Sequence, residues 1–212
     1  MKYIDATTQK SLKQGVMELL NLSASEMAQI FMSIYKDTKK QPWEWVRDFL
    51  SDYVVDETLE HIQMFHLSRR LNGTDIKANN NLEQLLIEGS PLSEFFKKHK
   101  IIFRPNEGHI DLYYKGKLQP LEDEFGYSGG NIYYLRSRLG YNKIQDYCVN
   151  GFAFRSHLEK NQYFSLLSYC PELVENIEEL LGIHGMSTDY YNNSKYYCIE
   201  YLIPLTDVIF DM

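Results

Sequence analysis

Hydrophobic positions recur every three or four residues through the first third of the chain, then every second residue, and this change divides the chain. Leu12, Val16, Leu19 and Leu20 share one face of a helix beginning near Thr8. Ser23 or Ser25 can cap a second helix, in which Met27, Ile30, Phe31, Ile34 and Tyr35 form an apolar stripe. Gln41-Pro42-Trp43-Glu44-Trp45 suits a third helix opening with proline in its first turn, with Trp45, Phe49, Leu50 and Tyr53 facing inward. From Leu59 to Leu71 the period becomes two: Ile62, Met64 and His66 alternate with Gln63, Phe65 and Leu67, predicting a strand with His66 near its end, where loops begin. Short helices are expected over 81–87 and 93–99, separated by Gly89-Ser90-Pro91. Ile101-Ile102-Phe103 and His109 to Lys115 read as two strands around the turn Asn106-Glu107-Gly108.

Farther along, Pro120 to Asn131 is expected to be a loop, Ile132 to Leu139 an amphipathic strand or helix, and Tyr147 to Phe154 a buried strand bent at Gly151. Asn161 to Leu181 is helix-rich, with Pro171 starting its second half, and Gly182 to Asn193 reads as a polar loop. The run from Tyr196 to Phe210 is the most β-prone in the chain and contains Glu200 among apolar and aromatic neighbours. A carboxylate there sits either on the solvent side of an edge strand or in a cleft, where it acts on something positively charged. The fold class that follows is α+β: a helical N-terminal third, 1–58, then a mixed, mostly antiparallel sheet with short helices over 59–212, or one continuous domain.

Composition narrows the function classes. The formal net charge of −7 disfavours non-specific nucleic-acid binding by the whole surface. Seventeen tyrosines suit a wet cleft or a protein interface, because the ring is apolar and its tip is polar. Cys148, Cys170 and Cys198 are widely spaced, which predicts reduced thiols and no structural zinc, and the histidines show no helical i, i+4 pair to support a metal site. With no apolar leader or span-length run, the expectation is a cytoplasmic protein without membrane contact. There is no GxSxG elbow, P-loop, HExxH or dinucleotide fingerprint.

The two strand-borne groups His66 and Glu200 remain. Met64-Phe65-His66-Leu67-Ser68-Arg69, followed by a helical segment and Gly89, resembles the opening of ADP-ribosyltransferase-type domains. Ile199-Glu200-Tyr201-Leu202-Ile203-Pro204-Leu205-Thr206-Asp207-Val208-Ile209 is similar to their last catalytic element. The resemblance implies that His66 bonds a ribose of NAD and that the chain after it, Ser68 and Arg69, holds the nicotinamide end. It implies that Glu200 stabilises the cation growing as the glycosidic bond breaks, chemistry that rewards a preorganised carboxylate. A stacking tyrosine would come from Tyr134 or Tyr163 first, with Tyr113, Tyr114 and Tyr133 behind them. Tyr197-Cys198-Ile199 precede Glu200, so no ExE or QxE pair exists and arginine-modifying subtypes are not expected.

Two functions are therefore expected to compete. One is a mono-ADP-ribosyltransferase of the toxin or defence-effector type, using NAD as co-substrate without metal, with a protein or nucleic-acid acceptor and an antitoxin or other protein partner. The other is a non-catalytic interaction protein (an inhibitor, immunity or anti-defence factor) with an acidic, tyrosine-rich surface.

Overall fold

The computed structural model describes residues 2–36, 41, 44, 47, 48, 51, 58–78, 80–121, 131–141 and 149–208. The expected helix around Trp45, the glycine-rich segment with Gly126, Gly129 and Gly130, most of the proposed strand from Tyr147, Cys148 and the last residues of the C-terminal run lie largely outside that set. The fold is α+β, with helices first and antiparallel sheets after. Two compact units divide it: 1–65 with 152–158 and 200–212, and 66–151 with 159–199. Each is assembled from separated stretches, and the division falls within the first strand.

The first unit opens with α1 (Gln9–Leu19) and α2 (Ala24–Lys36). Thr8 and Ser11 form a reciprocal capping box on α1, and Ser23 and Glu26 exchange the same kind of bonds at the start of α2. Gly15 is needed for contact, since a Cβ there would lie 2.7 Å from Ile4 Cγ2. Met27 is buried and Ile30 half-buried, but Phe31, expected in the same stripe, is exposed, so the inward face of α2 is narrower than the sequence pattern.

Strand β1 (His61–Leu71) crosses the division between the units. It alternates as expected, with Gln63, Phe65 and Leu67 on the buried side and Met64, His66 and Ser68 half-buried on the other. His66 lies in the middle of this strand, not at its end, because pairing continues to Leu71. The strand expected over 147–154 is reduced, among its described residues, to an isolated bridge between Phe152 and Phe65.

In the second unit α3 (Leu82–Ile87) and α4 (Pro91–Lys98) each start from a capping box, Asn81 with Gln84 and Ser90 with Ser93. Pro91 occupies the first turn of α4, where its missing N–H costs no helical bond. Strands β2 (Ile101–Asn106) and β3 (His109–Tyr114) pair from Ile101↔Tyr114 to Asn106↔His109, and β4 (Lys117–Leu118) adds a short third strand. The ambiguous segment after residue 130 is the helix α5 (Asn131–Arg138). The chain turns just after it at Gly140, where φ is +87° and a Cβ would sit 2.7 Å from the carbonyl oxygen of Gly108. Helices α6 (Gln162–Tyr169) and α7 (Glu172–Leu181) follow, with Pro171 as the N-cap of α7. Phe96, Ile101, Leu112, Leu135, Val174 and Ile177 form the centre of this unit's core.

The polar loop expected over 182–193 contains a helix, α8 (Met186–Asn192). Glu178 on α7 accepts the backbone N–H of Met186 and Ser187 and the Ser187 hydroxyl, while Met186 and Tyr190 are buried. A carboxylate eight residues upstream thus supplies the cap that local sequence lacks. The final strand β5 runs from Ser194 to Pro204, shorter than expected, and Leu205–Asp207 turn into a 3-10 helix. β1 and β5 pair as a two-stranded antiparallel sheet.

Candidate functional site

Glu200 belongs to the first unit, where it is exposed. Its Oε1 accepts a 2.5 Å hydrogen bond from Gln63 Nε2. Gln63 is buried, and its amide is otherwise spent on this unit's own N-terminal segment. Its Oε1 accepts from the backbone N–H of Ala6 at 2.6 Å, and Nε2 also reaches Thr7 Oγ1 at 3.3 Å. A buried primary amide on an apolar face requires such partners, so Gln63 is an ordered polar joint with Glu200 at its solvent end. The solvent-side placement of Glu200 is the edge-strand alternative stated above.

His66 belongs to the second unit and is half-buried. Its Nδ1 donates to the carbonyl oxygen of Asn150 at 2.6 Å. Burial pushes its pKa below the usual histidine range; the bond to Asn150 opposes that shift, and the Arg70 charge adds to it. On β1 itself His66 lies on the face opposite Gln63, because the two are an odd number of residues apart.

Arg69 and Ser68 take different roles. The Arg69 guanidinium is an internal clamp of the second unit. Nε donates to Ser194 Oγ at 2.8 Å, Nη1 to the Ser168 carbonyl at 2.6 Å, and Nη2 to the carbonyls of Tyr191 and Ser194 at 3.0 and 3.1 Å. Its Cζ also lies over the Tyr191 ring, 4.2 Å from the centroid, while Tyr190 Oη donates to the Arg69 carbonyl at 2.8 Å. The end of α6, the end of α8 and the start of β5 are therefore tied to β1 by one side chain. Ser68 Oγ accepts from Arg70 Nε at 2.7 Å.

The tyrosine candidates are surface residues. Tyr134 and Tyr133 on α5 are exposed and touch edge to face at 5.7 Å. Tyr163 opens the first turn of α6 and is also exposed. It heads a row that the sequence did not single out. Tyr163, Leu166 and Tyr169 recur at the three-residue spacing that puts them on one helix face, and all three are exposed, Leu166 at 61%. Tyr169 stacks on the exposed Tyr191 of α8 at 5.3 Å and its hydroxyl meets Thr188 Oγ1 at 3.1 Å. Two helices thus contribute to one aromatic surface in the second unit.

A further polar group lies at the end of the β2–β3 hairpin. Asp111 of β3 is buried and accepts from Tyr141 Oη at 3.1 Å, Asn106 Nδ2 at 3.2 Å and His109 Nε2 at 3.2 Å. The spacing His109-x-Asp111, two residues on one strand face, was its only signal. With three donors the carboxylate fixes the end of the β2–β3 hairpin. Cys170 is buried; burial, with Glu175 and Glu178 nearby, pushes its thiol up to about 12.

Among the described residues no cluster of three or more His, Cys, Asp or Glu could hold a metal ion, and no helix is long and apolar enough to cross a membrane. No family model matches the sequence, and no curated protein or solved structure matches it.

Proposed function

We propose that this protein works by binding another protein through the tyrosine-rich face of its second unit. The observation that carries this reading is the exposed row Tyr163, Leu166, Tyr169 and Tyr191. A helix turning a leucine and two tyrosines to water leaves apolar area unburied, which is the composition of a protein interface centre more than of an ordinary solvated helix. The stacking of Tyr169 on Tyr191, with the Arg69 guanidinium against the other ring, holds the two tyrosines in place, so little side-chain entropy is lost on docking. The net charge of −7 suits a partner that is basic around its contact patch.

The second reading, NAD cleavage and ADP-ribosyl transfer with Glu200 as the catalytic carboxylate, is favoured by one observation: the strands bearing His66 and Glu200, far apart in sequence, pair with each other. Against it weigh the exposure of Glu200 and its bond to Gln63, which leave the carboxylate solvated rather than poised in a dry site.

One experiment separates the two. Purified protein and Glu200→Gln are incubated with NAD and released nicotinamide is followed, while Leu166→Asp serves as a control in affinity capture. A partner retained by the parent and lost from Leu166→Asp, without nicotinamide release, upholds the binding reading. Nicotinamide release by the parent that disappears in Glu200→Gln replaces it with the transferase.

A further inference from the structure

The face of β1 that carries His66 carries two more polar side chains within the second unit, Ser68 and Arg70, and all three are half-buried. Arg70 differs from its neighbour Arg69. Its Nε donates to Ser68 Oγ at 2.7 Å, and among the described residues it makes no ion pair and no other hydrogen bond. Both Nη groups therefore keep their fork of donors unused. His66 lies near enough for the Arg70 charge to bear on its ring.

β5 brings a second cation to the same place. The Asn72 N–H donates to the Asn193 carbonyl at 2.8 Å, which sets the local register of this antiparallel pair. Counting in from that bond, Arg70 faces Lys195 and Ser68 faces Tyr197, all within the second unit. Residues directly opposed on one face have Cβ atoms about 5 Å apart, and like charges so placed are destabilising. Lys195 is exposed and, like Arg70, makes no ion pair among the described residues. The chain has 29 carboxylates against 22 basic side chains, so a pair of opposed cations without an acid is not a consequence of composition. A ladder position that keeps two like charges together is stabilised when an anion sits between them.

We propose that this face is a binding site for a small phosphate-bearing ligand, its phosphoryl group held by the Arg70 fork and the Lys195 ammonium, with the Ser68 hydroxyl and the His66 ring at its edge. A phosphoryl group fits better than a carboxylate. It carries close to two negative charges and three acceptor oxygens, matching one planar fork and one point charge. The hydrogen bond from Nε to Ser68 fixes the guanidinium plane in advance.

The site is tested on the full chain by NMR titration with inorganic phosphate, pyrophosphate and ADP at constant ionic strength, following the His66 ring signals across pH. A bound dianion raises the His66 pKa, because it favours the charged ring that Arg70 now disfavours. The expected result is a saturable shift, with affinity reduced at least about tenfold in both Arg70→Gln and Lys195→Gln, and only partly recovered in Arg70→Lys, which keeps the charge but not the planar fork. Equal response to all three probes identifies a free phosphoryl group as sufficient; response to ADP alone identifies a nucleotide, and both support the site. No saturable shift with any probe, or binding unchanged in Arg70→Gln and Lys195→Gln, overturns it. These readouts involve neither the aromatic row nor Glu200, so the site can fail while the function proposed above stands, and the reverse.

Discussion

The two faces of β1 in the second unit have nearly the same ingredients and opposite fates. On one, Leu67 and Leu71 are buried and Arg69, between them, spends its donors on three backbone carbonyls and a serine hydroxyl. On the other, Arg70 meets one serine hydroxyl and no carbonyl or carboxylate among the described residues. Adjacent arginines thus become a structural clamp and an unsatisfied cation. What differs is the surroundings that the pleat gives each of them: carbonyls at two helix ends and at the start of β5 on one side, a half-open strand face on the other.

The sharpest way to break this comparison is Arg69→Ala. It removes the Arg69 donors from the carbonyls of Ser168, Tyr191 and Ser194, of which Tyr191 keeps the Ser194 hydroxyl at 3.3 Å, and a buried group left unsatisfied costs about 1–3 kcal/mol. A loss of at least about 3 kcal/mol in urea unfolding is expected, with Arg69→Lys recovering only part of it, since an ammonium cannot span the same carbonyls. A loss below about 1 kcal/mol would show that Arg69 is no clamp.

A smaller effect is expected from acid. The His66 pKa is lower in the folded chain than in the unfolded one, so its neutral form favours folding fully at pH above the ordinary histidine value, near 6.5. As pH falls below that value the unfolded chain takes up the proton first, and stability declines until the folded value is passed. Urea midpoints measured between pH 7.5 and 5 are expected to fall more steeply in the parent than in His66→Asn. Parallel slopes would mean that the ring is not held neutral.

The smallest effect concerns Arg70→Gln without ligand. Removing one of two opposed cations is expected to change stability by no more than about 0.5 kcal/mol, in the stabilising direction. Thermal unfolding at low ionic strength checks this, where the repulsion is least screened. A loss approaching that of Arg69→Ala would make the two faces equivalent and remove the contrast.

Much of this architecture was legible from local patterns. The first two helices, β1, the hairpin around Asn106-Glu107-Gly108 and the helices on either side of Pro171 follow from period, caps and turn residues. The hidden features depend on partners far along the chain. Local sequence predicts a loop where helix α8 forms, because its cap is Glu178, on another helix. Phe31 belongs to the apolar stripe of α2 yet is exposed, since which arc of an amphipathic helix is covered depends on what packs against it. The candidate site is half legible. His66 and Glu200 stand out as polar groups in apolar strands, whereas nothing in the sequence marks Gln63 as the partner of Glu200, 137 positions away.

The sequence by itself determined the α+β class, the strand alternation that sends Arg69 and Arg70 to opposite faces, and the places where helices begin. Those depend on backbone geometry, caps and side-chain spacing within a few residues. Only the tertiary structure decided that β1 pairs with β5, that Gln63 is buried, that Arg69 is saturated and that Lys195 stands across from Arg70. Each of these depends on contacts between residues more than fifty positions apart, and no local period encodes which distant group will meet them.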